Sequence, residues 1–197
     1  MNFEFDIKKT AFIIVDMNNA FIGKGAPLEV PRAVEILPRI KLLLKTCREV
    51  GIPVIHVSHA FRKDGRDRGY MFEFWPVLKE GVLDEGSKGT EIHPDIAPIE
   101  GESTIIKRRY SAWFGTELDL IVRNLGVDTL IICGVTTDRC TGLTAYEAFM
   151  RDLKVVFPED ANATFQDEVH DGMIISLEMG GAMIVTTKNL VKRLKQV

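Results

Sequence analysis

The stretch TLIICGVTTDRC, residues 129–140, decides the fold of this chain. It opens with a short run of apolar and β-branched residues, turns at Gly134, and reaches Cys140 where a helical pattern begins. A short apolar run bounded by turn residues predicts a strand buried on both faces. A helix that follows such a strand at once is typical of a parallel sheet with helical crossovers.

The same pattern recurs on both sides of this stretch. Apolar runs at 10–16, 53–58, 103–107, 154–157 and 182–186 predict five further strands. Helical spacing at 33–50, 116–125, 140–151, 168–179 and 188–195 predicts the segments between and after them. The alternation indicates an α/β fold, a doubly wound three-layer α/β/α sandwich on a six-stranded parallel sheet. No linker or repeat divides the chain, so residues 1–197 are expected to form a single domain.

Residues 60–98 interrupt the alternation. This segment is rich in glycine, charge and aromatic side chains, and it has no clear periodicity. A long irregular insertion in a compact domain is usually functional. It is therefore expected to shape a binding site rather than to extend the sheet.

Composition excludes several classes of function. The net charge is −3, and the one compact basic cluster is 107–109, so no nucleic-acid surface is expected. The longest apolar runs are too short to span a bilayer, and the acidic, aromatic N-terminus does not resemble a signal peptide, so a cytoplasmic location away from membranes is expected. The three cysteines, Cys47, Cys133 and Cys140, include no C-x-x-C pair, which argues against a disulfide framework or a zinc knuckle.

Three chemically active residues follow the predicted strands. Asp16 ends the first strand, Lys107 ends the third, and Cys140 follows the fourth. Ligand sites in doubly wound sheets lie beyond the carboxyl ends of the strands, so these residues are expected to meet there. Each also has an ordinary structural role, as a core cysteine, a turn-forming aspartate or a solvated lysine. Their coincidence at one edge favours catalysis.

The chemistry of these groups suits acyl transfer. A helix start and a nearby Lys107 are expected to lower the pKa of Cys140 and favour its thiolate. Asp16 is expected to take the thiol proton and pass it to a leaving amine, and backbone N–H groups around Thr136 and Cys140 to hold the oxyanion.

The sequence resembles the isochorismatase-like cysteine hydrolases over nearly its whole length. The matching motifs are IIVDMNNAF at 13–21, IIKRRYSAWFGT at 105–116 and GVTTDRC at 134–140. The resemblance implies a six-stranded parallel sheet and a catalytic triad of Asp16, Lys107 and Cys140. It also implies a cis peptide bond between Val135 and Thr136, beside the oxyanion hole.

Two differences select a branch of this family. Members that cleave the vinyl ether of isochorismate replace the cysteine with a small residue, whereas this chain keeps Cys140. Nicotinamidase-like members carry an Asp-x-His metal motif after the second strand, and residues 56–60 read HVSHA instead. The resemblance therefore implies a cofactor-free amidohydrolase that cleaves the C–N bond of a small amide, ureido or N-carbamoyl substrate through a thioester. The alternatives are a metal-containing nicotinamidase-like amidase and a catalytically silent binding protein.

The remaining expectations concern the substrate and self-association. Phe21, Trp75, Tyr110 and Thr137 are expected to contact the substrate. Arg108 or Arg109 could bind a substrate carboxylate, although a solvated or subunit-interface position is favoured. The resemblance, helped by the aromatic segment 70–75, implies a homodimer or homotetramer.

Two further pairs of residues receive structural interpretations. Cys133 is interpreted as a core residue and Cys47 as a helix residue. His93 and His170 are interpreted as a loop histidine and a helix-surface histidine.

Overall fold

The sheet is parallel throughout, as the sequence predicts. The structure is a computed structural model that describes residues 3–196. Its strands are β1 (Thr10–Val15), β2 (Val54–His59), β3 (Ser103–Lys107), β4 (Thr129–Val135), β5 (Lys154–Pro158), β6 (Asn162–Ala163) and β7 (Met183–Val185). They run in the order β3-β2-β1-β4-β5-β7, with β6 paired to β4 beyond the end of β5. The two-residue β6 was not predicted, because it is too short to show a pattern.

Helices cover both faces of the sheet. They are α1 (Asn19–Ile22), α2 (Ala33–Val50), α3 (Met71–Phe74), α4 (Leu118–Leu125), α5 (Gly142–Phe149), α6 (Asp167–Met179) and α7 (Thr187–Leu194). Five of these match predicted helices, although α5 begins two residues later than predicted. The predicted start is instead a π-helical turn, Thr137–Thr141, which contains Cys140. Among the described residues, no helix has the length and apolar character to cross a membrane.

Alternate residues of each central strand face two separate cores. On β1, Phe12 and Ile14 pack with α2 and α7, whereas Ile13 and Val15 pack with α4, α5 and α6. Both sets are almost fully buried. Near-continuous apolar strands are expected where helices cover both faces of a sheet. This confirms the three-layer sandwich.

A glycine fixes the close approach of β1 and β4 at the edge where the active residues lie. Gly134 pairs with Val15 and has a φ of 125°, a conformation essentially restricted to glycine. A Cβ at this position would lie 2.0 Å from the carbonyl oxygen of Val15. Any other residue would therefore separate the two strands beside Asp16.

The insertion at 60–98 forms an ordered wall over the carboxyl end of the sheet. It contains α3 and short 3₁₀ turns, and Phe61 pairs with Leu83 through the backbone. Phe61, Phe72 and Leu83 are buried in the same core as α2. The segment is thus anchored by apolar packing, which supports its predicted role in shaping a site.

Candidate active site

Asp16, Lys107 and Cys140 meet at the carboxyl edge of the sheet. The Lys107 Nζ lies 2.7 Å from Asp16 Oδ2 and donates to Cys140 Sγ at 3.3 Å. Asp16 and Lys107 are fully buried, and Cys140 is nearly so. Residues that are far apart in sequence thus come within hydrogen-bonding distance of one ammonium group.

The backbone places each of these side chains. Asp16 directly follows β1 with a φ of 55°, a left-handed conformation that aspartate tolerates better than most residues, and its N–H donates to Val57 O at 2.8 Å. Lys107 is the last residue of β3, and Cys140 lies in the turn after β4. Because parallel strands end at the same edge, the three side chains converge there.

Lys107 is an enclosed cation rather than a solvated one. Besides Asp16 and Cys140, its ammonium contacts His59 Nδ1 at 3.3 Å and donates to the carbonyl oxygen of Arg109 at 3.1 Å. Burial alone would lower the pKa of Lys107, but the interactions of its ammonium with Asp16 and, to a smaller extent, with Cys140 outweigh burial, and the pKa is raised. Lys107 is therefore protonated at neutral pH.

The expected low thiol pKa is wrong for this site. Burial, together with the charge of Asp16, raises the pKa of Cys140 to about 12, and the Lys107 ammonium offsets only part of this rise. The pKa of Asp16 is also raised, because burial outweighs the attraction of Lys107. A raised thiol pKa favours the neutral thiol at neutral pH, so a base must remove the proton of Cys140 during attack.

Cys140 differs from the other two cysteines in its surroundings. Cys47 and Cys133 are buried in the core with no exposed surface, and burial raises both of their pKa values. This agrees with the interpretation of Cys133 as a core residue and of Cys47 as a helix residue. Cys140 lines a cavity above the sheet edge, so it is the one of the three that a small molecule can reach.

The cavity is small, with a volume of about 50 Å³, and it has a mainly apolar wall. Three of the four predicted substrate contacts, Phe21, Trp75 and Tyr110, line it, with Val135 and Thr136 beside Cys140. The peptide bond between Val135 and Thr136 is cis, as the family resemblance implies. The full lining is Phe21, Leu28, His59, Met71, Trp75, Leu78, Leu83, Tyr110, Val135, Thr136, Cys140 and Phe165.

Thr137 was expected to contact substrate, but it does not line the cavity. It is fully buried, and its Oγ1 lies 2.8 Å from His170 Nδ1. The π-helical geometry turns this side chain towards α6, which the assumption of a regular helix could not show. His170 is correspondingly half-buried against the turn that carries Cys140, rather than a simple surface residue.

Two residues of the wall were not predicted from the sequence. Phe165 stacks on Trp75 with ring centroids 6.3 Å apart. His59 was considered only as a metal ligand, yet it lines the cavity at the end of β2. Its position at a strand end could have identified His59, whereas no local pattern marks Phe165.

Arg108 and Arg109 do not line the cavity. Arg108 forms ion pairs with Asp67, at 2.7 Å, and with Glu85. Arg109 donates to the carbonyl oxygen of Asp67 at 2.9 Å. Both arginines therefore fasten the insertion to the end of β3. Arg108 is partly buried by its ion pairs rather than fully solvated, and a subunit-interface position stays a prediction.

The arrangement does not fit a metal ion. Within residues 3–196, the one cluster of potential ligands is Asp16, His59 and Cys140, whose ligand atoms lie within 4.8 Å of one another. The Lys107 Nζ lies within 3.3 Å of an atom of each of them. The ammonium occupies the position that a cation would need, and cations repel each other at such distances.

A doubly wound parallel sheet with Asp, Lys and Cys gathered at its carboxyl edge defines an isochorismatase-like class of protein. The chain belongs to the isochorismatase family, because its residues 10–189 match the model of the Isochorismatase domain. Family members are hydrolases and include amidases of C–N bonds, so this chain is an isochorismatase-family hydrolase.

Three relatives show the range of similar proteins. Nicotinamidase 3 of Arabidopsis thaliana is 31% identical over 95% of this chain and 89% of its own length. The structure of a cysteine hydrolase from Pseudomonas syringae has a TM-score of 0.94 at 27% identity, covering 99% of this chain and 96% of that one. N-carbamoylsarcosine amidase from Thermoplasma acidophilum has a TM-score of 0.76 at 28% identity, covering 91% and 96%.

Proposed function

We propose that this protein is a cysteine-dependent amidohydrolase that cleaves the C–N bond of a small amide, ureido or N-carbamoyl substrate. The observation that carries this proposal is the Lys107 ammonium within 3.3 Å of both Asp16 and Cys140, at the base of a cavity. A binding protein has no need for a buried ion pair beside a reachable thiol. The names of the amidase relatives agree with this proposal.

Acylation would use Asp16 as a proton carrier. The Cys140 sulfur attacks the substrate carbonyl carbon while its proton moves to the Asp16 carboxylate. Backbone N–H groups of Thr136 and Cys140 would stabilise the oxyanion. The C–N bond then breaks, and the same proton passes from Asp16 to the leaving nitrogen, which departs as ammonia or an amine.

Deacylation would reverse these roles. A water molecule attacks the thioester carbonyl as Asp16 removes one of its protons. The C–S bond breaks, the sulfur recovers the proton from Asp16, and a carboxylic acid leaves. Lys107 keeps its proton throughout and stabilises negative charge on the sulfur and on Asp16.

A substrate screen tests this proposal. Ammonia release is measured from linear amides, benzamide, ureido acids and N-carbamoyl amino acids. Steady turnover of at least one of them, unaffected by dialysis against a strong chelator, is the expected result. Absence of turnover across the panel would refute the proposed activity, and loss that zinc, iron or manganese restores would favour the metal-dependent alternative.

The pH profile should reflect the raised pKa of Asp16. Asp16 must be ionised to accept the thiol proton, so kcat/KM is expected to fall in acid. Because burial raises the pKa of Asp16 in the free enzyme, the midpoint of this acid limb should lie above the ordinary aspartate value of about 3.9. The measurement is kcat/KM between pH 3 and 9 in buffers of constant ionic strength. A flat profile down to pH 4 would argue against Asp16 as the base.

We also propose that the protein forms a homodimer or homotetramer. Tyr70 and Phe74 of the insertion are exposed by 75% and 63%, and they lie next to Met71 and Tyr110 of the cavity wall. Light scattering at micromolar concentration should give a mass of two or four chains. The mass of a single chain would refute self-association.

A further inference from the structure

The turn that carries Cys140 is held in place by side chains that the proposed mechanism does not use. Residues Thr137–Thr141 form a single π-helical turn, a rare geometry that is found most often at functional sites. The carbonyl oxygen of Thr136 accepts from the N–H groups of the residues before and after Cys140, at 3.2 and 3.1 Å. A shift of the peptide unit between Thr136 and Thr137 would therefore move the backbone on both sides of Cys140.

His170 of α6 holds the first residue of this turn. Its Nδ1 lies 2.8 Å from Thr137 Oγ1, and Thr137 is fully buried. A hydroxyl can both donate and accept, so either tautomer of the imidazole can form this bond. Because a buried hydroxyl without a partner costs free energy, the bond favours one position of Thr137 over others.

The Cys140 sulfur has a support of its own. Lys107 Nζ donates to it at 3.3 Å from the end of β3. Two other side chains contact the later part of the turn: Thr164 donates to Asp138, and Thr144 Oγ1 donates to the carbonyl oxygen of Cys140 at 2.6 Å. The bond from His170 thus acts on the start of the turn, beside Thr136, and the contact between Lys107 and the sulfur does not pass through it.

We infer that His170 is a positioning residue that acts through Thr137 and holds the backbone N–H groups of Thr136 and Cys140 where the oxyanion forms. The inference rests on the proposed function, in which those N–H groups stabilise the oxyanion, and it adds a residue on α6 to that site. His170 and Thr137 do not line the cavity, so they do not touch the substrate. Their loss should therefore lower kcat and leave KM nearly unchanged.

Removing either partner should slow acyl transfer. Thr137→Val keeps the shape of the side chain without its hydroxyl, and His170→Leu removes the ring nitrogens. Each should lower kcat, for the best substrate of the ammonia-release screen, by about 10- to 100-fold, because a displacement of about 1 Å can cost about 100-fold in rate. The double variant should be no slower than the poorer single variant, since the same bond is lost in all three.

Conservative variants and a control on α6 separate this effect from a general loss of structure. Thr137→Ser keeps the hydroxyl, and His170→Asn can place its amide near the position of Nδ1, so both should retain most of the wild-type kcat. Ser176→Ala removes another side-chain hydrogen bond of α6, the one between Ser176 and Tyr146 of α5. This control should keep kcat, because the bond does not reach the turn.

Alkylation of Cys140 separates the oxyanion donors from the activation of the thiol. Iodoacetamide reacts at a saturated carbon, where the sulfur displaces iodide and no oxyanion forms. The thiol proton still passes to Asp16, so the alkylation rates of Thr137→Val and His170→Leu should stay close to that of the wild type. Alkylation that slows as much as hydrolysis would overturn the inference, as would a loss of kcat in Ser176→Ala as large as that in His170→Leu.

Crystal structures test the inference without any turnover. The backbone nitrogens of Thr136 and Cys140 should be displaced in Thr137→Val and His170→Leu and native in His170→Asn. Both displaced variants test the same bond, so one that folds is sufficient. Such displacement, together with a wild type that hydrolyses no amide, would refute the amidase proposal alone. Native nitrogen positions, or native kcat in Thr137→Val and His170→Leu when the wild type is active, would overturn the inference on His170 alone.

Discussion

Replacing Cys140 with alanine should abolish amide hydrolysis while leaving the fold intact. Alanine has no atom that can attack the carbonyl, so the covalent step is lost, and a fall in kcat of at least about 10⁴-fold is expected. The structural change is small, because the sulfur is at the cavity wall and its removal leaves the Asp16–Lys107 ion pair at 2.7 Å in place.

Cys47→Ala is the matched control. Cys47 lies in α2 and is completely buried away from the cavity, so its truncation should cost about 1 kcal/mol of stability without changing turnover. Ammonia release and the urea midpoint are measured on both variants. Cys140→Ala with more than a few per cent of wild-type turnover, or Cys47→Ala with none while folded, would contradict the assignment of the nucleophile.

The second large effect concerns Lys107, whose removal should damage both stability and rate. Lys107→Met keeps much of the side-chain volume but leaves the Asp16 carboxylate buried without its cation. Breaking one partner of a buried ion pair costs about 3–5 kcal/mol. Turnover should fall by orders of magnitude, because nothing then offsets negative charge on Asp16 and the sulfur.

The loss of stability in Lys107→Met should change with pH in a direction that can be predicted. The pKa of Asp16 is raised by burial, and loss of Lys107 raises it further. The folded state of the variant then binds a proton at Asp16 more tightly than the unfolded chain does. The loss of stability caused by the buried carboxylate is therefore absent below the unfolded pKa of Asp16, and it grows as pH rises through the folded pKa. The stability difference from wild type should therefore narrow as pH is lowered from 8 towards 4.

A double variant separates the charge effect from packing. Asp16→Asn combined with Lys107→Met removes both charges, and replacing a buried ion pair by uncharged groups is often close to neutral for stability. The double variant should recover most of the urea midpoint but none of the activity. Equal instability of the single and double variants would show that packing, rather than the uncompensated carboxylate, is responsible.

The fold and the meeting of three active residues could be predicted because both follow from strand periodicity. Once 10–16, 103–107 and 129–133 are recognised as parallel strands, Asp16, Lys107 and Cys140 must lie at one edge. The two-residue β6 carries no such periodicity, so it could not be predicted. The predicted start of the helix at residue 140 was wrong, because the turn after β4 is π-helical and directs Thr137 towards His170.

Burial and long-range packing account for the other differences between the sequence-based predictions and the structure. The expected low pKa of Cys140 relied on helix and lysine effects, whereas the larger effect is desolvation, which no sequence motif reveals. Phe165 reaches the wall only because β6 and the following segment fold back beside Trp75.

Alkylation with limiting iodoacetamide, mapped by peptide mass spectrometry, tests the central claim most directly. Among the three free cysteines, Cys140 alone lines the cavity and has Asp16 at hand to remove its proton. Modification should therefore appear first on Cys140, in step with loss of ammonia release, and should slow in Asp16→Asn. Earlier modification of Cys47 or Cys133, or full modification of Cys140 with activity retained, would contradict a Cys140 nucleophile.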